Sequence, residues 1–168
     1  MKPVFVVMGV SGSGKSTIAG ALNAHLGWPF LEGDTLHPPA NVAKMRAGVP
    51  LTDADRAPWL LRVREWIDAR GRAGEPGLVT CSALKRAYRD YLSDGRPEVR
   101  FLYLQVPRAT LRARLAKRSG HFMPASLLGD QLQTMEPPQP DEHALVIDAG
   151  GEVDGVVETI LSALAVPG

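Results

Sequence analysis

The residues Gly9-Val10-Ser11-Gly12-Ser13-Gly14-Lys15-Ser16 follow the spacing G-x-x-x-x-G-K-[ST]. A phosphate chain needs several N–H donors converging on it. Only a backbone without side chains in the way wraps that closely, which accounts for the glycines. A helix starting near Lys15 adds unpaired N–H groups and the positive end of its dipole. The Lys15 ammonium can reach the outer phosphates, and the Ser16 hydroxyl, with Thr17 beside it, can ligate Mg²⁺. The ligand that fits is a nucleotide. The chain has no N-K-x-D stretch, so nothing points to a guanine-specific switch.

Other residues could supply the acceptor chemistry. Asp34, in Glu32-Gly33-Asp34-Thr35-Leu36-His37-Pro38, follows a short apolar run. At a strand end near the phosphate loop it could take the proton of an attacking hydroxyl, or it could cap a local turn. Arg56 lies in Thr52-Asp53-Ala54-Asp55-Arg56-Ala57-Pro58-Trp59. It could clamp a carboxylate, and elementary electrostatics favours a simpler pair with Asp53 or Asp55. Lys85, Arg86 and Arg89 follow Cys81. Lys85 and Arg89 are four apart, so a helix would put them on one face, to hold an anion or to face solvent. Arg108, Arg112, Arg114, Lys117 and Arg118 form a cationic run without an acid, followed by Ser119-Gly120-His121-Phe122-Met123-Pro124. Guanidinium groups on a mobile segment can stabilise the charge of a transferring phosphoryl group, and Gly120 and Pro124 suit the hinges of a lid. Asp148 ends the apolar stretch Ala144–Asp148. A metal role there is outweighed by that of a solvated or capping Asp.

The elements that must position these groups are legible as well. Five apolar runs read as strands: Val4–Met8, Phe30–Glu32, Leu78–Cys81, Phe101–Gln105 and Ala144–Asp148. They are continuous rather than alternating, as in a parallel sheet buried on both faces. Helical spacing lies between them, at Ile18, Leu22 and Leu26, after Pro58, at Leu111 and Leu115, and from Val153 to Leu164. This alternation implies an α/β sandwich with right-handed crossovers.

The chain of 168 residues has a net charge of +1, which argues against a general nucleic-acid binder. Its one cysteine, Cys81, permits no internal disulfide and reads as a small core residue. No apolar run approaches the ~18 residues of a membrane span, and Val4–Met8 is too short for a secretion signal. The expectation is a soluble cytoplasmic protein.

Taken together, several stretches resemble the gluconate kinase (gluconokinase) family. They are G-D-x-L-H-P at Gly33–Pro38, N-x-x-K-M at Asn41–Met45, G-x-P-L-x-D-x-D-R-x-P-W at Gly48–Trp59, C-S-A-L-K-R-x-Y-R-D at Cys81–Asp90 and H-F-M-P at His121–Pro124. The resemblance runs from Val4 to about Pro138. It implies a P-loop kinase fold like that of shikimate kinase: a three-layer sandwich with a five-stranded parallel sheet, as one domain over residues 1–168 with a lid at about 117–136. It implies the reaction of ATP with D-gluconate to give ADP and 6-phosphogluconate, with Mg²⁺. It implies Asp34 as the base, with Lys15 and Arg118 also catalytic. ATP would lie on residues 9–17, Arg114 and Arg118. His37, Arg56, Lys85, Arg89 and His121 would surround the sugar acid. A homodimer is a further expectation from the family. Two other readings stay open, a related kinase for shikimate or a nucleoside monophosphate, and a nucleotide-gated interaction module. One departure is visible. Family members often show S-Q-F-x-x-L-E-P-P where this chain has Asp130-Gln131-Leu132-Gln133-Thr134-Met135-Glu136-Pro137-Pro138. Gly129 and Asp130 are poor helix formers, Gly costing about 1 kcal/mol relative to Ala, so the helix expected there is weakened.

Overall fold

The computed structural model describes residues 2–117 and 127–165. Five strands, β1 (Val4–Met8), β2 (Phe30–Glu32), β3 (Gly77–Thr80), β4 (Val99–Gln105) and β5 (Leu145–Asp148), form one parallel sheet in the order β2-β3-β1-β4-β5. Each expected run is a strand, with ends displaced by one or two residues. The central strand β1 is buried along its whole length, as its unbroken apolar run requires.

Among the described residues seven α-helices accompany the sheet: α1 (Lys15–Leu26), α2 (Pro39–Arg46), α3 (Asp53–Ala73), α4 (Arg86–Ser93), α5 (Arg108–Lys117), α6 (Leu127–Thr134) and α7 (Val153–Ala165). Because strand side chains alternate, Val4, Val6 and Met8 face one layer and Phe5 and Val7 the other. The first set packs with Trp59, Leu60, Val63 and Ile67 of α3 and with Tyr88 and Leu92 of α4. The second packs with Ile18, Ala19 and Leu22 of α1 and with Val156, Val157 and Ile160 of α7. The result is the expected three-layer α/β sandwich. A third cluster, Val10, Leu84, Leu111, Leu115 and Leu128, seats α5 and α6 behind the phosphate loop.

Two local readings are corrected. The helix expected to begin at Pro58 begins at Asp53 instead. The Thr52 hydroxyl accepts from the Asp55 amide at 3.1 Å, and the Asp55 carboxylate accepts from the Thr52 amide at 2.9 Å. This reciprocal cap fixes the start five residues earlier and leaves Pro58 inside the helix. Arg56 therefore stands on a rigid first turn rather than on a loop. Helix α2 went unforeseen because its polar sequence, PANVAKMR, has almost no apolar periodicity; only Asn41 and Met45 are buried. Helix α6 does form across Gly129 and Asp130.

Candidate active site

The phosphate loop runs from the carboxyl end of β1 into the first turn of α1. Gly12 and Gly14 have φ of 85° and 92°, in the left-handed region where a side chain is strained. A Cβ on Gly9 would meet the Ser13 hydroxyl at 2.7 Å and the Leu104 carbonyl at 3.1 Å. The Ser13 amide donates to the Val10 carbonyl at 3.1 Å, closing a tight turn. The Lys15 ammonium lies along the same loop, donating to the carbonyls of Gly9 at 2.9 Å and Val10 at 3.1 Å. Arg114 braces it from α5, with bonds to the carbonyls of Gly12 at 3.2 Å and Ala149 at 2.8 Å.

Ser11, Gly12, Gly14, Lys15 and Ser16 line a cavity at the carboxyl edge of the sheet. Gly9, Val10, Ser13 and Thr17 shape the loop without lining that cavity. Open α/β sheets bind ligands at this edge.

The opposite wall comes from several separate segments. Asp34 sits in a single 3-10 turn, Gly33–Leu36, directly after β2. That turn presses against β3 so closely that a Cβ on Gly33 would lie 1.9 Å from the Thr80 carbonyl. The Trp59 indole donates to the Gly33 carbonyl at 2.9 Å, locking the turn to α3. Asp34 reaches the cavity with its side chain 44% exposed, so it can meet a ligand. His37 stacks on Trp59 with ring centroids 4.3 Å apart. Burial pushes His37 down to about 4, against the pull of the Asp34 charge and with some help from Arg56, so it is neutral near pH 7.

Arg56 also lines the cavity. It donates to the Tyr88 hydroxyl at 3.0 Å, and its guanidinium lies 5.6 Å from that ring's centroid. The pair with Asp53 or Asp55 favoured by simple electrostatics does not form. Asp55 is taken by Lys44 at 2.7 Å and held at about 2, chiefly by that bond. Asp53 is taken by Lys85 at 2.9 Å and by the Tyr88 hydroxyl. Arg56 is thus oriented by a neutral phenol and keeps its positive charge toward the cavity.

Across one cavity, a phosphate loop faces a carboxylate, an imidazole and a guanidinium that makes no direct ion pair among the described residues. A family model described as an AAA domain matches residues 4–138. Over 162 residues the chain is 49% identical to a gluconokinase of Gluconobacter oxydans (strain 621H), an alignment spanning 96% of this chain and 91% of that one. The chain belongs to the gluconokinase family. A crystal structure of a gluconokinase from Sinorhizobium meliloti 1021 superposes with a TM-score of 0.87 at 45% identity, covering 97% of this chain and 91% of the other. A shikimate kinase from Aquifex aeolicus vf5, 14% identical with a TM-score of 0.60 over 96% of this chain and 95% of its own, shares the fold alone.

Two cations expected around the sugar acid stand elsewhere. Arg89 is 1% exposed and does not line the cavity. It grips Glu142 at 2.6 and 3.2 Å and donates to the carbonyls of Ala83, Leu84 and Glu136. All its donors are used, so the expected substrate contact is corrected to a structural one: Arg89 staples the β3–α4 loop to the segment after α6. The helix-face argument failed because α4 starts at Arg86, leaving Lys85 before the helix and Arg89 pointing inward. Lys85 pairs with Asp53 outside the cavity. Arg118 and His121 lie outside the described residues, as do Gly120 and Pro124, the expected hinges of the lid, while α6 occupies the later part of that segment.

Glu32 and Gln131 were missed. The Glu32 carboxylate at the end of β2 accepts from the Ser16 hydroxyl at 2.9 Å and from Thr80 at 2.7 Å. Its position at a strand end beside Asp34 was the available signal. Gln131 of α6 accepts from the Ser11 amide at 2.6 Å. The two residues are 120 positions apart, and nothing local in the sequence links them. Asp148 accepts from the Gly150 amide at 3.1 Å and does not line the cavity, which fits a capping role. Cys81 is buried, and burial pushes its thiol up to about 12, as for an inert core residue.

Proposed function

We propose that the chain transfers the γ-phosphoryl group of ATP to the terminal hydroxyl of D-gluconate, giving ADP and 6-phospho-D-gluconate. The observation that carries this reading is Arg56, a cation with no direct ion pair to a carboxylate among the described residues, on the same cavity as Asp34 and the phosphate loop. Gluconate has a carboxylate at one end and the reacting hydroxyl at the other, so it needs a cation and a base at the two ends of its site.

In this reading the hydroxyl oxygen attacks the γ-phosphorus as its proton passes to Asp34, and the bond to ADP breaks in line. The loop amides, the helix dipole and Lys15 offset the charge on the phosphates. Arg118, with Arg114 bracing the loop, belongs to the same nucleotide side. His37, and His121 from the lid, hold the hydroxyls between the two ends of the substrate.

The donor set also fits Mg²⁺. Ser16 and Glu32 offer hard oxygens, and donation of the Ser16 proton to Glu32 leaves the hydroxyl oxygen's lone pair for a cation. Among the described residues no three His, Cys, Asp or Glu gather into a cage, so the phosphates and water would complete the shell. When bound, the ion would supply positive charge against that of the phosphates. One kinase domain over residues 1–168, a cytoplasmic setting and a homodimer belong to the same reading. Among the described residues no helix is long and apolar enough to cross a membrane.

The experiment is a panel of ADP release with ATP and Mg²⁺ alone, with gluconate, with shikimate and with AMP. Release that depends on gluconate is expected. Equal release without an acceptor, or a preference for shikimate or AMP, contradicts the proposal.

A further inference from the structure

We propose that Asn41 is a positioning residue that holds His37 as the neutral imidazole with its proton on Nε2, so that His37 donates to a hydroxyl oxygen of the acceptor while Asp34 alone takes the reacting proton. The inference rests on reading the cavity as a gluconate site.

The Asp55 carbonyl can only accept. It lies 2.8 Å from the side-chain nitrogen of Asn41, so the atom there is the amide NH₂ and not the amide oxygen. The same nitrogen lies 3.2 Å from His37 Nδ1. An amide nitrogen donates and does not accept, so Nδ1 must present its lone pair. The proton of a neutral ring then sits on Nε2.

The frame around these atoms is rigid. Asn41 and His37 are both buried. The Asp55 backbone is fixed by the helix cap with Thr52 and by the ion pair with Lys44, which stands on the same helix as Asn41. The ring is fixed by its stack on Trp59. A ring flip would set a C–H against the Asn41 amide in place of Nδ1, and loss of that bond opposes it.

The charged groups facing His37 come from two elements. Asp34 lies on its own turn, with a carboxylate oxygen 4.0 Å from Nε2, beyond hydrogen-bonding distance. Arg56 comes from α3. Asp34 favours a charged ring, while Arg56 and burial oppose it. Protonation at Nδ1 would set an N–H against the Asn41 N–H, so Asn41 adds a geometric bar to the charged form. This has a use in the reaction. A charged imidazolium beside Asp34 would stabilise the carboxylate and weaken it as a base. A neutral Nε2–H can orient the substrate without that effect.

The test begins with nitrogen-15 NMR of the histidine rings of the whole, ligand-free protein between pH 5.5 and 8. His37 should show a protonated Nε2 and a bare Nδ1, with no titration in this range. A protonated Nδ1, or a titration near 6.5, overturns the proposal. The second arm is Asn41→Asp. Its carboxylate accepts from Nδ1–H, so the neutral ring loses its donor at Nε2, and only the charged ring regains it. KM for gluconate in Asn41→Asp should then rise about tenfold above the new His37 titration and recover below it, the size expected for one lost hydrogen bond. The same KM in the unmodified protein should not follow that profile. An Asn41→Asp KM raised equally at every pH would mean a merely structural role and overturns the assignment. If Asn41→Asp does not fold, the spectrum of the unmodified protein decides alone. If the unmodified protein does not phosphorylate gluconate, the functional reading falls, and the spectrum still decides the tautomer.

Discussion

The two walls of the cavity are built in opposite ways. The nucleotide wall is one short stretch of main chain, residues 9–16, of which Ser11, Gly12, Gly14, Lys15 and Ser16 line the cavity, with glycines at 12 and 14 where φ is positive. The acceptor wall is made of side chains from separate segments: Asp34 and His37 after β2, Arg56 and Trp59 on α3, and Gln131 on α6. A backbone site depends on the conformation of one short stretch. A side-chain site depends on which of several similar residues the fold turns inward. Arg56 and Arg89 show the difference. Both are arginines in family-like stretches, yet one is oriented by a phenol toward the cavity and the other is used up inside the protein.

The comparison can be broken from either side. The largest effect is expected at Asp34. Asp34→Asn keeps the size and removes the base, so single-turnover phosphoryl transfer should slow by about 10²–10⁴ while ATP binding persists. Unchanged transfer would reassign Asp34 to a structural turn. Next comes Arg89→Ala, which leaves the buried Glu142 carboxylate without its partner. Breaking such a pair costs about 3–5 kcal/mol, to be read as a lower urea midpoint. A loss of gluconate affinity at unchanged stability would restore Arg89 to the substrate. On the nucleotide side, Lys15→Met should lower kcat by about 10²–10³ with the fold intact, since it removes one electrostatic contact to the transferring group. Near-normal turnover would show that the loop binds without catalysing.

The smallest effect is a slope. His37 titrates at about 4 in the folded chain, below its ordinary value near 6.5. The unfolded chain therefore takes up this proton first as the pH falls. The stability that His37 contributes is complete above about 6.5 and is lost as the pH falls toward about 4, with a slope of up to about 1.4 kcal/mol per pH unit. Urea midpoints of the unmodified protein and of His37→Gln, measured across that window, should differ in slope. Equal slopes would show that His37 titrates normally in the fold.

The sequence was most informative where structure is local. Continuous apolar runs became the five strands, although only β1 and β3 are buried along their whole length. The phosphate loop was legible as well, since glycine spacing and the following lysine state its geometry. Residues whose role depends on distant partners were not. The 3-10 turn that carries Asp34 is held by Trp59, 26 positions away. Arg89 turned inward because Glu142 and three carbonyls met it there. The start of α3 was misjudged because Pro58 is a strong local signal and the cap at Thr52 and Asp55 a stronger one. The role of Glu32 rests on Ser16 and Thr80, 16 and 48 positions away, and only its place at a strand end marks it locally.

The central claim is that the charge of Arg56 on the cavity selects a sugar acid. Its most direct measurement is kcat/KM for gluconate and for glucose, side by side, on the unmodified protein and on Arg56→Ala. Glucose has the terminal hydroxyl without the carboxylate, and a site built on a substrate's polar groups can reject an analogue lacking them by about 10⁴–10⁵. The account predicts a strong preference for gluconate, eroded in Arg56→Ala mainly through a loss of efficiency toward gluconate. Comparable efficiency on both sugars in the unmodified protein would contradict it.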